Sequence, residues 1–401
     1  MLELEEALTR ILSALPAPES ERIPLAQSDG RVLAEQVLSP LDLPVFDNSA
    51  MDGYAVRAKD AAAASHDSPV RLRLCGKAAA GTVFDGEVGA GMCVRLFTGS
   101  SLPHGADAVV MQEDTRIDAN KPEEILFFEP VKPWENVRLR GEDVKCGVTL
   151  GNAGDYLTAG RVCLLAAVGM TEVNVGRRPV VGLLASGSEL REAGPALAPG
   201  QIYESNRLGL SALVSRAGGI PQIFPLVPDT LAATRDALET AFEKCDAVIT
   251  SGGVSVGEMD FIKSAFEQMG GKLQFWKVAI RPGRPFVFGR CKEKFLFGLP
   301  GNPVSAVVTF LLLARPALAR WQGAADVRLP MHTGVGAEPL TNRGERRHFM
   351  RVTVDHEGRV RSAGTQTSHC LSSLAVANGL VDVPPNTTLA AGATVAVMRW
   401  D

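Results

Sequence analysis

At 401 residues the chain exceeds the usual size of one domain, and about two to four folding units are expected. Its 46% hydrophobic and 21% charged residues exclude a disordered chain. With 41 basic against 45 acidic side chains, a net charge of −4, it lacks the excess of a general nucleic-acid binder, so no nucleic-acid partner is expected.

The chain opens with Glu3, Glu5 and Glu6 where a secretory leader would carry basic residues. The apolar run Val304 to Ala314 is shorter than the ~20 residues of a membrane span. A cytoplasmic protein without membrane contact is therefore expected. A helix is predicted over Leu4 to Leu15, and a β-rich unit over residues 45–142, its turns marked by Gly81, Gly86, Gly89, Gly91, Gly99 and Gly105. A second helix, Ala159 to Val168, ends at Gly169. The two helices are read as one platform, residues 1–44 with 143–176, interrupted by the inserted β-rich unit. Seven cysteines, Cys75 to Cys370, are scattered without a Cys-x-x-Cys pair, which points to reduced thiols.

Residues 177–325 alternate β-branched runs with helical stretches, the pattern of a doubly wound α/β domain. Strands are predicted at Val180 to Ala185, Ile223 to Val227, Ala247 to Thr250 and Phe295 to Leu299. Between them lie a helix capped by Ser205 or Asn206 and ending at Gly218-Gly219, and a helix Thr230 to Glu243 with Asp229 at the N-cap. A third helix follows the glycine-rich loop Ser251 to Asp260 and stops at Gly270-Gly271; a fourth, Val304 to Leu318, follows the turn Pro300 to Pro303. Residues 326–401 carry short alternating runs, His348 to Val354 and Thr394 to Met398 among them, which suit a small β-barrel or sandwich.

In a doubly wound sheet the ligand lies beyond the carboxyl ends of the strands. Four loops there are unusual: Ser186 to Glu189, Pro228-Asp229, 251–260 and 300–303. They supply small residues, helix N-termini and carboxylates, and carboxylates that share a hard cation with phosphate oxygens make a Mg²⁺ site. Taken singly, Asp229 reads as a helix cap, Glu189 as a solvated loop residue, and the glycines as turns. Lys277, Arg281 and Arg284 surround the Pro282 and Pro285 turn, which suits an oxyanion or a solvated loop equally. The acidic turn Asp47 to Tyr54 and the cluster Arg138, Arg140, Glu142 and Asp143 have plain readings as a tight turn and a solvated face. His369 beside Ser368 lacks the partner a hydrolase triad needs.

Five motifs in order resemble those of the MoeA family of molybdenum cofactor enzymes, which includes the gephyrin E domain. They are Asp47 to Val56, Thr98-Gly99, Arg140 to Asp143, Ser251 to Glu258 and Leu299 to Pro303, and the resemblance covers nearly the whole chain. It implies an elongated helical platform, an inserted β domain, a molybdopterin-binding α/β domain over 177–325 and a C-terminal β-barrel over 326–401. It also implies a homodimer whose site joins the α/β domain of one subunit to the N-terminal part of the other. The implied reaction inserts molybdate into adenylylated molybdopterin and releases AMP, with Mg²⁺ on Glu189 and Asp229. Carried over by motif, Asp52, Thr98, Glu189, Asp229 and Asp260 are catalytic, while Arg140, Asp143, Ser251, Gly252, Gly253, Arg281, Arg284, Pro300, Gly301, Asn302 and Ser368 bind substrate. A molybdopterin adenylyltransferase and molybdoenzyme maturation proteins are the implied partners. The chain departs from the family pattern at Arg281 and Arg284, where lysine is common, and at Ser188, often aspartate. Arginine keeps the charge and adds a fork, whereas serine cannot replace an acid on a metal. Competing readings are an adenylyltransferase and a gephyrin-like scaffold. The flanking domains and the Asp47 to Val56 motif favour insertion.

Overall fold

The computed structural model describes residues 1–253 and 261–400. It divides into two compact units, one of Met1–Glu35, Ala153–Thr158 and Glu172–Asp401, the other of Gln36–Asn152 and Ala159–Thr171.

The first unit is built on a six-stranded sheet with the order Ile220–Ile223, Val180–Ala185, Ala247–Ser251, Lys294–Leu299, Pro285–Cys291, Lys272–Lys277. The first four strands run parallel and the last two antiparallel, so the sheet is mixed where the alternating pattern suggested a parallel one. The central strands are apolar almost throughout because both faces are covered. Side chains alternate between two cores: Val181, Leu183, Ile249 and Phe297 join one, Leu184, Val248 and Leu296 the other. Against the first face pack the helices Leu4–Ala14, through Leu4, Ala7 and Ile11, Asn206–Arg216, through Leu210 and Val214, and the long helix Pro303–Trp321. Against the second pack Leu231–Lys244 and Phe261–Gln268. Helices on both faces make this the doubly wound architecture expected.

Three local readings are corrected. The N-cap of Leu231–Lys244 is Thr230, whose hydroxyl accepts from the Ala233 N–H at 3.2 Å, not Asp229. The strand expected over Ile223 to Val227 lies at Ile220–Ile223, because the regular alternation breaks after Phe224: the next N–H given to the neighbouring strand is that of Val227, on the Ala185 carbonyl, and not that of Leu226. The helix expected over Val304 to Leu318 runs from Pro303 to Trp321 with a π turn at Phe310–Ala314, where Pro316 cannot donate back to Leu312. This helix is long and apolar enough to cross a membrane, yet 83% of its apolar window is buried inside the fold, as befits a core helix.

The C-terminal part of the unit is a closed five-stranded barrel. Around the ring, Arg347–Val354 pairs with Arg359–Ser362, which pairs with Met331–Gly336, then Thr394–Arg399, then Gly379–Val383, which returns to Arg347–Val354. Met350, Val352, Val381 and Val397 help fill it. The short strand Ile280–Arg281 adds to it beside Arg347 and His348, tying the arginine turn to the barrel.

The second unit is β-rich, as expected. Its six-stranded sheet has the order Ala108–Met111, Gly53–Val56, Met92–Leu96, Val70–Ala78, Lys121–Phe127, Thr115–Asp118. The two helices expected to share one platform fall in different units: Leu4–Ala14 in the first, and Ala159–Ala167 in the second.

Candidate functional site

The carboxyl ends of Val180–Ala185, Ala247–Ser251 and Lys294–Leu299 open onto a cavity of ≈ 1170 Å³ in the first unit. Its lining includes Glu189, Asp229, Ser251, Gly252, Gly253, Pro300, Gly301 and Asn302 from the sheet side. The arginine turn and the barrel contribute Arg281, Arg284, Arg346, Ser368 and His369. Glycine is required at the centre. Gly252 and Gly253 have φ of +88° and +67°, and a Cβ on them would come within 3.0 Å of the Ser186 carbonyl and 2.6 Å of Ile262.

Side-chain bonds hold these loops in mutual register. Asn206 donates from Nδ2 to Ser251 Oγ and to the Gly301 carbonyl, each at 2.7 Å, so its amide joins two loops rather than capping its helix. The Asp229 carboxylate accepts the Ser188 N–H at 2.8 Å. This leaves its other oxygen for a ligand, and gives Ser188 a backbone role where an acid would offer a metal ligand. Asn302 donates to Ser368 Oγ at 3.1 Å, and the Val304 N–H donates to the Ser368 carbonyl at 3.1 Å.

The two sides of the cavity differ in sign. Glu189 and Asp229 stand on the sheet side; Arg281, Arg284 and Arg346 stand on the other. Burial lowers the Arg346 pKa, and the charges of Arg284 and Arg281 lower it further, so its charged neighbours repel it. Three guanidinium groups gathered this way make this side of the cavity strongly positive. Close by, His348 is 3% exposed, and neither ring nitrogen has a partner. Burial and the charges of Arg281, Arg351 and Arg346 push its pKa down to about 4, so the ring is neutral.

The second unit holds the other motif residues. Asp52 Oδ1 accepts the Thr98 N–H at 2.8 Å and the Thr98 hydroxyl at 2.9 Å, which lowers its pKa and keeps it ionised. Arg140 donates from Nε to Asp42 at 2.6 Å and from its backbone N–H to Asp47 at 2.7 Å, which pins the turn. Asp143 is exposed beside it, its N–H bonded to the Leu43 carbonyl.

Of the residues singled out from the sequence, eleven line the one cavity: Glu189, Asp229, Ser251, Gly252, Gly253, Arg281, Arg284, Pro300, Gly301, Asn302 and Ser368. Asp52, Thr98, Arg140 and Asp143 belong to the other unit, and Asp260 lies outside the described residues. Lys277 is not on the lining. Sequence reasoning missed Arg346 and the bridging role of Asn206. Nothing local to Arg346 marks it, because the arginines it joins lie over sixty positions earlier. Asn206 carried a signal, an N-cap residue type directly after the loop, that was read as a cap.

Comparison with known proteins identifies the family. The family described as MoeA N-terminal region (domain I and II) matches residues 2–169, the probable molybdopterin binding domain matches 182–320, and the MoeA C-terminal region (domain IV) matches 333–400. The molybdopterin molybdenumtransferase of Haemophilus influenzae is 39% identical over 404 residues, covering 99% of this chain and 98% of its own. That of Bacillus subtilis is 35% identical over 402 residues, covering 99% of this chain and 94% of its own. The crystal structure of the molybdopterin biosynthesis MoeA protein from Pyrococcus horikoshii OT3 superposes with a TM-score of 0.85 at 31% identity, covering 100% of both chains. With three consecutive family regions along the chain and full-length relatives on either side of one-third identity, the chain belongs to the MoeA family of molybdopterin molybdenumtransferases.

Proposed function

We propose that the cavity of the first unit takes adenylylated molybdopterin and molybdate and releases AMP as the metal enters the dithiolene. As a member of its family the chain works in molybdenum cofactor biosynthesis. The observation that carries the finer reading is the division of charge in the cavity: of its three carboxylates Glu204 is taken up by Arg207, which leaves Glu189 and Asp229 to face a ligand together with three arginines. A substrate with a pyrophosphate linkage, meeting a second oxyanion, needs both a hard cation and fixed positive groups to offset repulsion. Arg281, Arg284 and Arg346 would gather the oxyanion. The Gly252-Gly253 loop would let the substrate approach the backbone closely, and the Asn302–Ser368 pair would orient it from the barrel side.

The donor set fits Mg²⁺. Among the described residues no group of three or more His, Cys, Asp or Glu is placed to cage a metal. Glu189 and Asp229 alone suit an ion that completes its shell with substrate oxygens and water. Bound there, Mg²⁺ would supply charge to the phosphorus–oxygen bond that breaks. Asp52 and Thr98 are proposed to complete the site from the second subunit of a homodimer working in the cytoplasm.

Purified protein given adenylylated molybdopterin, Mg²⁺ and molybdate should release AMP and yield active cofactor, and omission of either Mg²⁺ or molybdate should stop it. Consumption of ATP with unmodified molybdopterin would instead identify an adenylyltransferase, and absence of both activities a scaffold.

A further inference from the structure

Between the strand Val180–Ala185 and the helix Asn206–Arg216 the chain makes a long excursion in which residues 191–200 are all exposed. Its two arms nevertheless run in register. Leu190 lies beside Ile202 and Arg191 beside Tyr203, with the Ile202 N–H on the Glu189 carbonyl at 3.0 Å and the Glu204 N–H on the Arg191 carbonyl at 2.9 Å. A parallel pair two residues long is too short to hold such an excursion alone.

Arg207, in the first turn of the helix and 2% exposed, supplies the anchor. Its Nε donates to Glu204 Oε2 at 2.9 Å, and its backbone N–H to Glu204 Oε1 at 2.8 Å. Nη2 donates to Glu192 Oε1 at 2.7 Å, and Nη1 donates to the Phe224 carbonyl, just past the edge strand Ile220–Ile223. Glu192 follows the outgoing arm and Glu204 the returning arm, so one planar guanidinium ties both arms to the end of the sheet. A buried cation persists only when paired and hydrogen-bonded this completely. No lysine could replace it, because a single ammonium has no fork to span three acceptors.

We infer that Arg207 is a positioning residue for the reaction: by clamping Glu192 and Glu204 it holds the arm that sets Glu189 at the edge of the cavity. This rests on the proposed role of Glu189 as a Mg²⁺ ligand. Glu189 lies one residue before the paired arms, and its carbonyl is bonded into them, so loosening the clamp lets its carboxylate swing. Glu192 is the informative member to alter. Its side chain is 66% exposed, and it does not line the cavity, so its loss takes one bond from the clamp while removing no core or cavity-lining side chain.

In the full-length protein, Glu192→Ala is compared with Glu192→Gln, which keeps an oxygen for Nη2. Two quantities are read: amide hydrogen exchange at Ile202 and Glu204, and the Mg²⁺ concentration giving half-maximal AMP release. Glu192→Ala should speed exchange roughly 10-fold, the size of one charge-assisted hydrogen bond. It should also raise the Mg²⁺ requirement roughly 3- to 10-fold, the same loss shared with an otherwise intact site, with kcat at saturating Mg²⁺ within about twofold of wild type. Glu192→Gln should restore most of both. Faster exchange with an unchanged Mg²⁺ requirement overturns the inference, as does unchanged exchange, or a shifted requirement without faster exchange. A Glu189→Ala variant with the wild-type Mg²⁺ requirement would overturn the metal assignment instead, while the exchange readout still judges the clamp.

Discussion

Asp229 stands just before a helix, where aspartate is a favoured cap, yet Thr230 makes the capping bond and Asp229 turns towards the cavity. A residue relieved of capping its helix, with one carboxylate oxygen on the Ser188 N–H and a place at the proposed Mg²⁺ site, should matter for chemistry more than for folding. Asp229→Ala and Glu189→Ala are therefore expected to keep the wild-type circular dichroism and to lose at least ~10-fold in AMP release, the effect of one positioned charge contact; turnover at the wild-type rate would sink the assignment. His348 gives a prediction of a different kind. Unfolded, its imidazole binds a proton near pH 6.5, whereas in the fold it does so only at about 4. Between those values the unfolded chain holds more protons, so stability falls as pH drops through that window. Removing the titration should remove that slope. Comparing urea midpoints at about pH 7 and 5, wild type should lose about 2 kcal/mol more than His348→Leu. An equal loss would show that the ring is solvated after all. Such single residues were unevenly legible: the loop acids and glycines could be found because strand ends locate them, whereas His348 begins an alternating run whose pattern reports burial and not what the buried side chain meets, and Arg346 lies just before that run.

The strands at the middle of the sheet, Val180–Ala185, Ala247–Ser251 and Lys294–Leu299, were legible because burial on both faces leaves continuous apolar runs. The antiparallel pair Lys272–Lys277 and Pro285–Cys291 was not, since lysines bound the first and prolines at 282 and 285 made the connection look like a loop alone. Within that connection Gly283 couples the arginine turn to the long helix. Its φ is +107°, and a Cβ there would lie 2.3 Å from Thr309 Cγ2. Gly283→Ala should cost about 3 kcal/mol, combining backbone strain with overpacking. Adding Thr309→Ser removes that methyl while keeping a hydroxyl to bond the Ser305 and Ala306 carbonyls, and should return about 1 kcal/mol in chemical denaturation, the strain remaining. No recovery would mean that the close contact is relieved by other movements.

For the whole molecule, the five motifs made the family legible, while the partition of the motif residues could not be read from their order alone. Asp52 and Thr98 fall in one compact unit, and Glu189 and Asp229 in the other. The proposed homodimer would bring such groups together from different subunits. If so, Asp52→Ala and Asp229→Ala proteins, each inactive alone, should regain activity when subunits exchange, because one of the two sites in the mixed dimer is intact. Were each site made within one chain, both chains of the mixed dimer would carry a lesion in their own site, and AMP release would stay at background.

The borders of the mixed sheet are where another copy of the chain could add a strand. The N–H groups of Ile220 and Phe224 point inward, to the carbonyls of Pro179 and Leu183, so position 221 is one whose N–H would face outward. Proline occupies it and offers no donor, on a strand whose neighbours Ile220 and Ile223 are each 44% exposed. At the opposite border lysines begin and end the strand, and the Leu2 N–H takes the Lys277 carbonyl. Each border thus denies a stray strand its footing, one by withholding a hydrogen bond and the other by charge and cover. A valine at 221 would restore the outward donor beside the same exposed isoleucines and give a stray strand a place to pair.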